Sequence, residues 1–161
     1  MKYLKYLWQK LISPKIELDS YDIPELVPYC HLFGSRLWGG ATRKSDVDFI
    51  IAEKNITVVT AILTSLDIGH KVARALYTNT TISVEFKLNG LRYSLNVVED
   101  KHFDTFKKCI PIASEFFKEY PVYTVSKDSR ARLFESLIDP RKPYDTNLGN
   151  FLKKNYPEFL L

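Results

Sequence analysis

His31-Leu32-Phe33-Gly34-Ser35-Arg36, followed by Ser45-Asp46-Val47-Asp48-Phe49-Ile50, is the stretch that decides what this chain builds. Leu32 and Phe33 end a short apolar run at Gly34-Ser35, and Val47–Ala52 resumes as an almost wholly apolar, β-branched run. Both read as buried strands, Tyr29–Phe33 and Val47–Ala52, joined by a loop rich in Gly and small or polar residues over Arg36–Lys44. A strand alternates its faces with a period of two. Asp46 and Asp48 therefore share one face, while Val47, Phe49 and Ile51 share the other. Two like charges on one surface invite a cation, and two carboxylates with open positions suit Mg²⁺, which takes phosphate oxygens and waters as its other ligands. Gly34 lets the backbone approach a ligand closely at the exit of its strand, and Arg36 brings a fork-shaped donor to the same corner. The parts fit a metal-dependent phosphate site.

Outward from this window, Lys2–Ile12 has Tyr3, Leu4, Leu7, Trp8 and Leu11 at helical spacing with Pro14 just beyond, a short amphipathic helix. Thr57–Leu66 is also helical, with Val58, Ile62 and Leu66 aligned on the face that covers the sheet and Gly69 as its stop. Lys71–Leu76 reads as a further strand. Ile82–Leu88 and Leu91–Val98 flank Asn89-Gly90, the strongest short-range hairpin signal. A helical stretch opens at Asp100 or Lys101 and runs through Phe106, Ile110 and Phe117, with Pro111 expected to kink or split it. Ser126 caps a helix over Lys127–Leu137, where Asp128 favours the N-terminal end. Pro140, Pro143 and the turn-like Tyr144–Asn147 precede an aromatic-rich final segment. Helices around a mixed sheet make an α+β (or α/β) domain, with its core at about residues 26–100 and a helical part at about 101–161.

The chain has 161 residues, 45% hydrophobic and 14% aromatic, enough to bury one core and too few for two comfortable domains, so a single domain over residues 1–161 is expected. The 23 Lys+Arg against 19 Asp+Glu leave a charge of +4, a mild excess that suits anionic ligands without marking a nucleic-acid coat. No run approaches the roughly 18–20 apolar residues of a membrane span, and the basic face of Lys2–Ile12 is expected to be solvated rather than membrane-bound. Cys30 and Cys109 stand alone, with no metal-binding or disulfide pattern beside them, which points to reduced thiols in the cytoplasm.

Gly34-Ser35, then Asp46-Val47-Asp48 starting eleven residues after Ser35, with Leu32-Phe33 before and Phe49–Ile51 after, resembles the signature of the DNA polymerase β-like nucleotidyltransferase superfamily. The form Gly-Ser-Arg, a Gly-containing loop and Ser-Asp-x-Asp-Phe looks especially like its small stand-alone members in bacteria and their phages. The resemblance is sharp over Tyr29–Ala52 and rests on element order over the next fifty residues. It implies a minimal nucleotidyltransferase fold in which Gly34 and Ser35 hold nucleotide phosphates, Asp46 and Asp48 bind Mg²⁺ or Mn²⁺, and Arg36 adds a phosphate contact. The implied reaction moves a nucleoside monophosphate from a nucleoside triphosphate to an acceptor, which in this superfamily ranges over RNA ends, proteins and small molecules.

The superfamily also expects a third acid on a later strand, and here the sequence departs from it. Asn96, within the hydrophobic Tyr93–Val98, stands where that carboxylate is most readily matched. It offers a carbonyl oxygen but no charge and no basicity. Glu85, between Val84 and Phe86 on the first hairpin strand, is the alternative, and Glu99 at a strand end fits less well. Without a third acid, the same fold serves as a catalytically silent nucleotide-binding or regulatory protein. Trp38 is placed either to stack on a base or to plug its loop onto the core. Lys127, Arg130 and Arg132 form either a solvated helix face or a contact to a triphosphate tail or a nucleic-acid acceptor. Arg43 and Lys44 are either surface cations or a basic lip over the triphosphate. His31 reads as a core histidine, and His70 and His102 have no partner pattern.

Overall fold

A computed structural model describes residues 23–75, 77–139 and 141–160, so the expected helix Lys2–Ile12 lies outside the described residues. In chain order the elements are β1 (His31–Phe33), a single helical turn α1 (Ser35–Trp38), β2 (Val47–Ala52), α2 (Ile56–Ser65), β3 (His70–Arg74), β4 (Thr80–Leu88), β5 (Leu91–Val98), α3 (Asp100–Glu119), α4 (Lys127–Ile138) and α5 (Thr146–Asn155). The fold is α+β. Its five strands are ordered β1-β2-β5-β4-β3, with β2 and β5 parallel and every other pair antiparallel. Among the described residues no helix is long and apolar enough to cross a membrane.

Alternation along the strands divides the core in two. Val47, Phe49 and Ile51 of β2, with Leu95 and Val97 of β5 and Val84 of β4, meet Val59 and Leu63 of α2. Phe33, Ile50 and Val98, on the opposite face, meet Phe106 and Phe116 of α3, Phe134 of α4 and Phe151 of α5. Each buried large side chain stabilises the fold by roughly 1.5–3 kcal/mol, so these two apolar faces fix how the sheet lies among the helices. The second face turns polar along β2, from Ile50 beneath the helices to Asp48, and the cleft opens there. The Asn89-Gly90 hairpin forms as expected, with φ of 50° and 77°, the positive pair that a two-residue turn matched to strand twist requires. The Ser126 hydroxyl accepts a hydrogen bond from the Ser129 N–H at 3.1 Å, the expected cap of α4.

Four expectations are corrected. In α2 the buried residues are Val59 and Leu63, whereas Val58 and Leu66 are 36% and 42% exposed. This helix is apolar on most sides, so periodicity alone does not set its phase. Pro111 does not split α3: the helix runs unbroken through Asp100–Glu119. The lost N–H bond and ring clash cost about 3 kcal/mol, less than the burial of Phe106, Cys109, Ile110, Ile112, Ala113, Phe116 and Phe117 returns. The first strand starts at His31, because Tyr29 and Cys30 still donate their N–H groups to the Leu26 carbonyl in a helical turn. Within Arg36–Lys44, the first residues close the turn α1 before the loop begins.

Candidate functional site

The cleft floor is best described as two rows of side chains crossing the sheet. Register places Phe33, Asp48, Ser94, Glu85 and Lys71 in one row, on β1, β2, β5, β4 and β3. Beside it, Arg92 of β5 stands opposite Lys87 of β4 and donates from Nε to Asp46 Oδ1 at 2.8 Å. Ser94 is therefore the residue level with Asp48, and its hydroxyl is 2.8 Å from that of Ser83. Glu85 is one strand further on. Two strand spacings put its backbone about 10 Å from that of Asp48, and Lys71 Nζ lies 3.5 Å from its carboxylate. Asn96 sits two register pairs deeper, opposite Ile50, and donates from Nδ2 to the Phe49 carbonyl at 3.2 Å. It is buried in the sheet, away from the cleft. Among the described residues, no three His, Cys, Asp or Glu side chains converge as a metal cluster.

Gly34 and Ser35 form the corner between β1 and α1. Gly34 has φ 81° and ψ −159°, a conformation essentially confined to glycine. A Cβ there would lie 2.9 Å from Asp48 Oδ2 and 3.3 Å from Asp48 Cβ. The missing side chain is what lets this corner lie against Asp48. Gly40, at φ 84°, plays a related part: a Cβ on it would overlap the Thr124 carbonyl, which accepts from Arg130 Nη1. The loop thus passes close enough to set Arg130 on the cleft wall. Arg130 and Lys127 project from the first turns of α4 toward Gly34, Ser35 and Asp48. Arg36 is turned the other way. Its Nη2 donates to the Ser45 carbonyl at 2.7 Å and to the Arg43 carbonyl at 3.4 Å, bracing the loop rather than lining the cleft.

Burial and then the neighbouring charge of Asp46 raise the Asp48 carboxyl to about 6, although Lys127, Arg130 and Arg92 pull it down. A divalent cation removes both causes at once, because it replaces lost solvation and neutralises the like-charge pair. The donor set fits one such ion. Mg²⁺ is commonly held by one or two carboxylates with substrate phosphates and waters completing its shell, and here the Asp46–Asp48 pair opens onto a cleft of about 250 Å³. A three-carboxylate centre does not fit, since Ser94 takes the position beside Asp48.

Trp38 lines the cleft, but it is buried, with its ring 4.9 Å from Phe134, 5.3 Å from Phe117 and 5.7 Å from Phe33. It plugs its turn onto the core. His31 packs on Phe103 outside the cleft. Lys44 joins the cleft wall, Arg43 stays on the loop outside it, and Arg132 faces away on α4. Three cleft residues had no signal in the sequence. Tyr77 enters from the β3–β4 connection, whose Thr78 N–H donates to Glu135 of α4 at 2.8 Å. Arg92 and Ser94 enter through the parallel pairing of β5 with β2.

No protein-family profile and no curated protein matches the chain. Among solved structures it is similar to the "structure of GLD-2/RNP-8 complex", at 16% identity and a TM-score of 0.47, covering 86% of this chain and 62% of that one. It is also similar to the structure of a cytoplasmic RNA terminal U-transferase, at 14% identity and a TM-score of 0.38, covering 94% of this chain and 51% of that one. The chain thus spans less than two thirds of either.

Proposed function

We propose that the cleft binds a nucleoside triphosphate with one Mg²⁺ or Mn²⁺ and transfers the nucleoside monophosphate to an acceptor hydroxyl, in the manner of the small stand-alone polymerase β-like nucleotidyltransferases. The observation that carries this reading is the meeting of the Asp46–Asp48 pair, the Gly34-Ser35 corner and the Lys127–Arg130 wall in one cleft. Asp46 and Asp48 hold the cation, the Gly34-Ser35 corner seats the phosphates, and Lys127 and Arg130 balance the remaining charge. A cation held there would neutralise phosphate charge and polarise the reacting phosphorus. The acceptor oxygen forms a bond to the α-phosphorus, the bond from that phosphorus to the α–β bridging oxygen breaks, and pyrophosphate leaves. Glu85 Oε takes the acceptor's proton, as the remaining carboxylate among the described residues that line the cleft. Arg36 supports the site from its loop, and Asn96 from within the sheet.

Incubation with α-labelled nucleoside triphosphates, Mg²⁺ or Mn²⁺ and a mixture of RNA, protein and small-molecule acceptors tests this reading. Label transfer is expected from the parent protein. Glu85→Gln is expected to lower transfer by about 100-fold or more, the scale of general-base catalysis, with triphosphate affinity within about threefold of the parent. Joint replacement of Asp46 and Asp48 by Asn is expected to abolish cation-dependent triphosphate binding with the circular dichroism spectrum unchanged. A parent protein that binds no triphosphate in the presence of Mg²⁺ or Mn²⁺ defeats the proposal.

The occupation of the row position beside Asp48 by Ser94 favours a second reading, a nucleotide-binding or regulatory protein without transfer. Cation-dependent triphosphate binding with no label reaching any acceptor is its signature. Cys30 and Cys109 are both free and buried thiols, consistent with residence in the cytoplasm.

A further inference from the structure

A second concavity continues from the cleft, sharing Lys44, Asp46 and Arg92 with it and adding Arg43, Lys87 and Gly90 at the hairpin tip. Its charge is one-sided. Asp46 is the sole acid among its described lining residues, and it is already paired with Arg92. Arg43, Lys44 and Lys87 are exposed, and among the described residues no carboxylate lies within ion-pair distance of any of them. Lys87 also stands directly opposite Arg92 across β4 and β5, and the one carboxylate at this pair, Asp46, is engaged by Arg92, which leaves Lys87 without a counter-ion among the described residues. The triphosphate leaves Arg43 and Lys87 unmatched, because neither lines the cleft, where the cation, Lys127 and Arg130 balance its charge.

We infer that this groove is the acceptor track, and that the acceptor is a single-stranded nucleic acid whose terminal hydroxyl reaches the cleft while its backbone runs over Arg43, Lys44 and Lys87. The inference rests on the nucleotidyl-transfer reading and names its acceptor class. Repeated phosphodiesters present anionic oxygens at regular spacing, and the forked guanidinium of Arg43 suits them better than it suits isolated carboxylates. None of the described residues lining the groove is aromatic, so none of them offers a platform for base stacking. Recognition is therefore of the backbone and indifferent to base sequence.

Fluorescence anisotropy with a labelled 12-nucleotide RNA, at several salt concentrations and with a fluorescent triphosphate measured in parallel, tests this. The parent protein is expected to bind the strand, with log Kd rising linearly with log salt and equal affinity for mixed and homopolymeric strands. The pair Arg43→Glu and Lys87→Glu is expected to weaken strand binding by at least tenfold. It should also lower the salt slope by about 1.4, at roughly 0.7 for each phosphate that is no longer neutralised. Triphosphate affinity should stay within about twofold. The inference is overturned by a parent that binds triphosphate but not RNA, or by a double variant that binds RNA as the parent does. Equal competition by acidic peptide or by vesicles of phosphatidylserine also overturns it. Failure of triphosphate binding in the parallel channel instead marks failure of the proposed function, so the two are separable in one experiment.

Discussion

Asp48→Asn is expected to raise the melting temperature of the ligand-free protein at pH 7 while removing its cation-dependent binding of triphosphate. The Asp48 carboxyl stands near 6 in the folded chain against an ordinary 3.8, first because it is buried and second because Asp46 is beside it. A raised carboxyl means that the folded state keeps a proton that the unfolded chain has already released. Between pH 3.8 and about 6 the native state binds more protons than the unfolded state, so stability falls as pH rises through that window. Above it the whole cost is present. At 1.36 kcal/mol per pKa unit, the upper bound of that cost is about 3 kcal/mol. Asn keeps the shape that fits against Gly34 and carries no charge, so it relieves the cost. For a chain of this size each kcal/mol moves the melting temperature by about 2–4 °C. The check is calorimetry of both proteins at pH 4 and pH 7.5: the advantage of the variant should be small at the lower pH and several degrees at the higher. A variant that melts no higher than the parent at pH 7.5 sinks the argument. Asp139 has the opposite sign. Hydrogen bonds from Arg141 hold it at about 2, so its contribution is present above the ordinary carboxylate range and is lost as pH falls toward 2.

That one residue is both a burden to the fold and half of the proposed cation site follows from a pattern visible in the sequence. The alternation of Asp46 and Asp48 against Val47, Phe49 and Ile51 needs only the period of a strand, and the turn at Asn89-Gly90 needs only local φ preferences. Both were legible for that reason. The third row position was not. Whether Asn96 or Ser94 stands level with Asp48 depends on how β5 aligns with β2, a parallel pairing of segments that are far apart in the chain. A shift of two residues keeps every apolar side chain on its proper face while exchanging the polar one, so the hydrophobic pattern that specifies strand register does not choose between them. The same non-local pairing brings Arg92 to Asp46 and hides it from any sequence pattern. Arg36 shows a different limit. Its place next to Gly34-Ser35 suggested a phosphate contact, but a helical turn rotates successive side chains by about 100°, and α1 aims this one at the loop carbonyls of Arg43 and Ser45. Helix phase was equally hidden in α2, where Val58, Val59, Ile62 and Leu63 offer more apolar surface than one buried face can use.

Gly34→Ala is expected to destabilise the fold by about 3 kcal/mol, from two separable causes. The backbone at φ 81° and ψ −159° lies in a region that any Cβ disfavours, at a cost of about 1–3 kcal/mol. The added methyl would also lie 2.9 Å from Asp48 Oδ2, a carboxylate oxygen on a buried strand with little freedom to move aside. Either the corner opens or β2 shifts, and both carry the Gly34-Ser35 turn, the proposed phosphate seat, away from the acidic pair. Triphosphate binding should therefore fall by more than the loss of stability accounts for at temperatures where the variant is still folded. Combining Gly34→Ala with Asp48→Ala separates the causes in urea unfolding. Removing the carboxylate relieves the contact at 2.9 Å but leaves the strained φ, so the double variant should recover part of the deficit, with a coupling of about 1 kcal/mol. Additive effects would mean that the corner and the strand do not touch as described. A single Gly34→Ala variant within about 0.5 kcal/mol of the parent, the range of an ordinary surface substitution, would contradict the positive φ itself.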